Sequence, residues 1–116
     1  MTPFGDRLRR MRAERRLSLK QMAAGIGVSS AYLSALEHGR RGTPTFQLVQ
    51  RIIQYFNVIW DEAEELQRLA ELSAPRVVVD TAGLSPKATE LANRLAERIG
   101  ELDEAAIDDL LGRLKR

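Results

Sequence analysis

A chain of 116 residues with 44% apolar and 29% charged side chains should fold as one domain, or one small domain with an appendage, and is too short for a large barrel or a doubly wound sheet. The absence of Cys excludes disulfides, thiolate zinc sites and iron–sulfur clusters and fits a reducing cytoplasm; no apolar run nears the ~18 residues of a membrane span, and the Arg-rich start runs into more charge rather than into a signal peptide. The net charge of +2 conceals an uneven distribution: residues 1–57 carry ten Lys or Arg and three acids, +7, while residues 58–116 carry eight basic and thirteen acidic residues, −5.

Helical periodicity and punctuation predict an all-α fold. Phe4, Leu8 and Met11 recur at helical spacing in a first helix over 4–16, with Arg on its other faces. Ser18 can cap a second helix over 19–25 that buries Leu19, Met22 and Ala23, and Gly27 suits a turn with positive φ. Ser29 can cap a third helix over 30–38, with Leu33 and Leu36 inward and Gly39 closing it. Gly42 and Pro44 make 40–45 a loop, and Thr45 can cap a fourth helix over 46–56 with Phe46, Val49, Ile52, Ile53 and Phe56 on one stripe. Asn57 is a left-handed terminator, after which a fifth helix over 60–72 places Ala63, Leu66, Leu69 and Ala70 together and Asp61, Glu62 and Glu64 in its first turn.

Ser73-Ala74-Pro75 breaks the pattern, so residues 1–72 read as one domain and 73–116 as a second segment. Val77, Val78 and Val79 form the one β-favouring run, expected as a short strand if it meets another strand, most simply its symmetry mate. Ser85-Pro86 is an N-cap and N1 pair for a sixth helix carrying Leu91, Leu95 and Ile99, and a start at Asp103 gives a seventh carrying Ala106, Ile107, Leu110, Leu111 and Leu114.

Function concentrates in 17–39, LSLKQMAAGIGVSSAYLSALEHG. Two short helices meet at a tight turn: Ala23 is small where the second helix presses on the third, Gly27 lies in the turn, and Leu33 is the buried centre of the third. That is the mechanical requirement of a DNA-reading helix-turn-helix. The stretches FGDRLRRMRAERRLS, QMAAGIGVSSAYLSALEHGRRGTPT and the apolar helix ending FNV resemble the Cro and phage-repressor-like helix-turn-helix family, also called the xenobiotic-response-element (XRE) family, over residues 4–72. The resemblance implies a five-helix lambda-repressor-like domain whose third helix enters the major groove of double-stranded DNA.

Carried over residue by residue, the resemblance implies that Ser29, Ser30, Ala31, Tyr32, Ser34 and Ala35 face the bases. The third helix lacks the Gln, Arg or Lys that bidentate base readout uses, so direct readout should be modest, with DNA shape and water contributing. Ser18, Lys20, Gln21, Arg40, Arg41, Thr43 and Thr45 are the phosphate contacts, Leu19 standing where the family often has Gln. Arg12 and Glu37 match a family ion pair bridging the first and third helices. Arg7, Arg9, Arg15 and Arg16 are read as solubilising the first helix, His38 as favouring a helix C-terminus rather than binding metal, and Trp60 as an inter-helix anchor.

Residues 73–116 are too few for a good core of their own, yet present Leu91, Leu95, Ile99, Leu102, Ile107, Leu110, Leu111 and Leu114. Those residues, with Val77–Val79, are expected to form a homodimer interface, since reading two half-sites of a pseudo-palindromic operator needs a two-fold; the competing arrangement folds both helices back on the fifth. The reading is a transcriptional regulator, repressing by occlusion, with no cofactor, metal, membrane partner or enzymatic activity. Its rivals are the antitoxin of a toxin–antitoxin pair, whose C-terminal segment would also clamp a toxin, and a general nucleic-acid binder.

Overall fold

A computed structural model describes residues 1–40 and 43–115. Among them are seven α-helices, α1 (Pro3–Glu14), α2 (Leu19–Ile26), α3 (Ser30–Glu37), α4 (Phe46–Phe56), α5 (Trp60–Glu71), α6 (Pro86–Arg98) and α7 (Glu104–Leu114), with a 3-10 turn at Ile99–Glu101 and no strand. The chain divides into two compact units, Met1–Val77 and Val78–Arg116.

Hydroxyl side chains start the first four helices. Thr2 accepts from Gly5 N–H at 3.0 Å, Ser29 from Tyr32 N–H at 3.0 Å and Thr45 from Leu48 N–H at 3.1 Å. Ser18 forms a reciprocal box: its hydroxyl accepts from Gln21 N–H and the Gln21 amide oxygen accepts from Ser18 N–H. Each bond satisfies a donor that the helix itself cannot reach. The ends are equally local: Gly27 (φ 89°) and Asn57 (φ 55°) turn left-handed after α2 and α4. α1 stops at Glu14, two residues short of the predicted end, because Arg16 turns left-handed at φ 52°.

The first unit closes around one core. It takes Phe4, Leu8 and Met11 from α1, Met22, Ala23 and Ile26 from α2, and Leu33 and Leu36 from α3; α4 adds Leu48, Val49, Ile52, Ile53 and Phe56, and α5 adds Leu66 and Ala70. Each of the larger side chains contributes about 1.5–3 kcal/mol on burial. Gly5 lets α1 approach the end of α3: a Cβ there would lie 2.4 Å from the Glu37 carbonyl oxygen. Ser73, just past α5, is buried; its Oγ accepts from Phe4 N–H at 3.0 Å and donates to the Leu69 carbonyl at 2.6 Å. The residue that looked like the start of a linker thus ties the end of α5 to the start of α1.

Two expectations are corrected here. Trp60 is 80% exposed rather than an anchor: it opens α5 with a φ of 54°, and Val58 takes the inward place at that corner. Phe46, at the first position of α4, lies past the edge of the core and is exposed; Leu48 leads the buried stripe instead. Val77, Val78 and Val79 form no strand within the chain and are exposed, so the expected pairing is one between two copies.

In the second unit Ser85 caps α6, with Pro86 at N1, and Asp103 caps α7. None of its described residues is buried. Leu95, Ile99, Leu102, Ile107, Leu110, Leu111 and Leu114 line one apolar cleft along α6 and α7, and Leu91 is exposed at 65%. No helix among the described residues is long and apolar enough to cross a membrane.

Candidate nucleic-acid interface

The turn between α2 and α3 is built from the residues the sequence singled out. Ala23 is 2% exposed, beneath the turn, and its carbonyl accepts from both Gly27 N–H (2.9 Å) and Val28 N–H (3.0 Å). α3 buries Leu33, Leu36 and Glu37. Its helical period therefore turns Ser30, Ala31, Ser34, Ala35 and His38 outward. Ser29, Ser30 and Ala31 are exposed, whereas Tyr32, Ser34 and Ala35 are half-buried and Tyr32 packs against the core. The outer face of α3 is thus made of small side chains.

Of the expected phosphate contacts, Ser18, Lys20, Gln21, Arg40, Thr43 and Thr45 are exposed, and Thr45 lines a cleft with Ser29 and Tyr32; Arg41 lies outside the described residues. The capping bonds leave these groups usable. A hydroxyl that accepts from an amide still has its own hydrogen to donate, and the Gln21 NH2 is not spent in the capping box. His38 has Nδ1 2.8 Å from the Ser34 carbonyl, which accepts a hydrogen bond when that nitrogen carries the hydrogen.

Electrostatics single out this face. Between Arg15 and Trp60 the only carboxylate is Glu37. Its side chain is 2% exposed and locked to Arg12 by two parallel bonds, Nε to Oε2 at 3.0 Å and Nη2 to Oε1 at 3.1 Å. The third nitrogen, Nη1, donates to the Leu17 carbonyl at 3.1 Å, so one guanidinium joins α1, α3 and the loop before α2. With that carboxylate buried and paired, the described residues between Arg15 and Trp60 bear no exposed negative side chain.

Several cations of α1 are occupied within the fold. Arg7 pairs with Glu65, Arg10 lies 4.0 Å from Asp6, and the Arg15 guanidinium sits 4.8 Å from the centre of the Phe56 ring. No group of acidic residues and His among those described could hold a metal ion. Arg51 had no role in the sequence reading, since nothing at helical spacing from it marks a partner; it bonds the end of α2, as described below.

The family model described as "Helix-turn-helix domain" matches residues 3–69. The chain is 38% identical over 61 residues to the uncharacterized HTH-type transcriptional regulator RghRB of Bacillus subtilis (strain 168), covering 53% of this chain and 44% of that protein. It is 32% identical over 79 residues to the HTH-type transcriptional repressor RghR of the same organism, covering 65% and 58%. With the HTH-type transcriptional regulator SinR, also of that organism, identity is 29% over 92 residues, covering 72% and 83%. The chain thus spans about half the length of RghRB and RghR. No solved structure matches at a significant level. On the match across residues 3–69, the chain belongs to the helix-turn-helix domain family.

Proposed function

We propose that the protein is a sequence-specific DNA-binding transcriptional regulator, acting in the cytoplasm as a homodimer on a pseudo-palindromic operator. The observation that carries this reading is the charge arrangement of residues 15–60: a narrow outer face of Ser and Ala on α3, exposed Lys20 and Arg40 in the segments before and after it, and the segment's one carboxylate buried against Arg12. A helix of small side chains can lie deep in the major groove, where Ser makes single hydrogen bonds and Ala meets thymine methyls. Ser29, Ser30, Ala31, Tyr32, Ser34 and Ala35 face the bases. Ser18, Lys20, Gln21, Arg40, Arg41, Thr43 and Thr45 hold phosphates. Repression is the mode supported by the similarity to RghR, a transcriptional repressor.

Dimerisation runs through residues 78–116. The open leucine-lined cleft and the net acidity of the C-terminal half support this: apolar area needs cover, and negative charge keeps the segment off the DNA. Val77–Val79 can add an antiparallel pairing between two copies.

Selection of bound duplexes from a random library at physiological salt tests the reading. The expected product is a two-fold-related sequence with half-sites about one helical turn apart. Titration on that duplex should give a log–log salt slope of roughly −7 to −11, and replacing both Arg40 and Arg41 by Ala should flatten it. Recovery of random sequences, or an unchanged slope, overturns the assignment.

A further inference from the structure

We infer that Arg51, backed by Tyr55, positions the DNA-reading helix by gripping the last turn of α2. This rests on the role proposed for α3 above. The last carbonyls of a helix have no intrahelical donor. In α2 the Ile26 carbonyl is one of them, and Arg51 Nη1 reaches it from α4 at 3.2 Å. A guanidinium there also opposes the negative pole of the helix dipole. Four residues on, Tyr55 lies against Gly25 so closely that a Cβ at that position would stand 2.1 Å from ring carbon Cε1. Positions 51 and 55 share one face of α4, so a single face holds two successive residues of α2, Gly25 and Ile26.

The chain then passes through Gly27 into α3. Arg51 Nη1 is 3.4 Å from where a Gly27 Cβ would be, so the guanidinium lies on the turn itself. It also borders a cleft lined by Val28, Ser29, Tyr32, Thr45 and Leu48, beside the first residues of both α3 and α4. The neighbours at i−4 and i+4 are Gln47 and Tyr55, so no carboxylate at that spacing competes for it. A small tilt introduced at this turn is carried along the ~12 Å length of α3 and moves every side chain aimed at the bases.

The experiment compares the full-length wild type with Arg51→Met, Arg51→Lys and Gly25→Ala. Affinity is measured on the selected duplex and on random duplex across a salt series, and amide hydrogen exchange is followed without DNA. Arg51→Met should lose roughly tenfold on the selected duplex, with little change on random duplex and an unchanged salt slope. Exchange at the Val28 and Tyr32 amides should quicken, and Gly25→Ala, which must displace the Tyr55 ring, should reproduce both effects. Arg51→Lys keeps the charge and one donor and should recover part of the loss.

A slope reduced by about 0.9 per half-site, with equal loss on both duplexes, makes Arg51 a phosphate ligand and overturns the inference. So does a lower melting temperature with intact discrimination. Should Arg51→Met fail to fold, Arg51→Lys and Gly25→Ala carry the same decision. A wild type that prefers no duplex defeats the proposed function alone; unchanged Val28 and Tyr32 exchange in the variants defeats the positioning role whatever the DNA result.

Discussion

The two units use one vocabulary of short capped helices and put it to different ends. In Met1–Val77 the helices present their apolar stripes to one another, and sixteen hydrophobic residues among those described are buried. In Val78–Arg116 the helices are as well punctuated, by Ser85, Pro86 and Asp103, yet no described residue is buried. Local signals suffice to start and stop a helix. A core needs faces from several directions, and two helices with a 3-10 turn supply too few. The first unit therefore closes on itself, while the second offers a face that a copy of the chain can cover.

The contrast breaks most visibly at the second unit. Replacing Ile99 and Leu111 together by Glu should leave the first unit folded and the chain monomeric by light scattering. Losing the linked second half-site should weaken operator binding on the order of 10²–10⁴-fold. A variant that remains dimeric moves the interface elsewhere.

Within the first unit the largest stability effect belongs to Glu37→Ala, which strands the Arg12 guanidinium. It should cost about 3–5 kcal/mol in a denaturant melt; a loss under ~1 kcal/mol would mean the pair is solvated. Ser73→Ala removes the acceptor of the buried Phe4 N–H and should cost about 1–3 kcal/mol, whereas truncation after Val77 should keep that bond and that stability. The smallest effect is expected at the exposed Trp60: Trp60→Ala should stay within ~0.5 kcal/mol of wild type. A larger destabilisation would restore it as an anchor.

Helix identity and order were legible because their signals are local: Ser18, Ser29, Thr45, Ser85 and Asp103 each cap the helix predicted from them. The α2–α3 turn was legible for the same reason, with Ala23 and Gly27 each needed within a few residues of one another. What escaped depends on residues distant in sequence. Nothing near Ser73 announces Phe4, 69 positions away, and nothing near Arg51 announces Ile26, 25 positions away. Trp60 misled because an apolar side chain was read as inward, when the left-handed backbone at that corner gave the inward place to Val58. The valine run forms no strand within the chain because β propensity describes a fit to a neighbouring strand, and the chain provides none.

The chemistry of the helix starts has a further consequence. Thr2, Ser18, Ser29 and Thr45 open the first four helices with uncharged oxygens, and aspartate opens a helix only at Asp103, in the acidic C-terminal half. Aspartate is as good a cap and adds a favourable charge at the helix N-terminus. At Ser18 or Thr45, proposed above to hold phosphates, it would however set a carboxylate against the polyanion's own negative charge. On that proposal, thermostabilising swaps at those two sites would come at the expense of grip, and the hydroxyls would serve both the helix and the duplex.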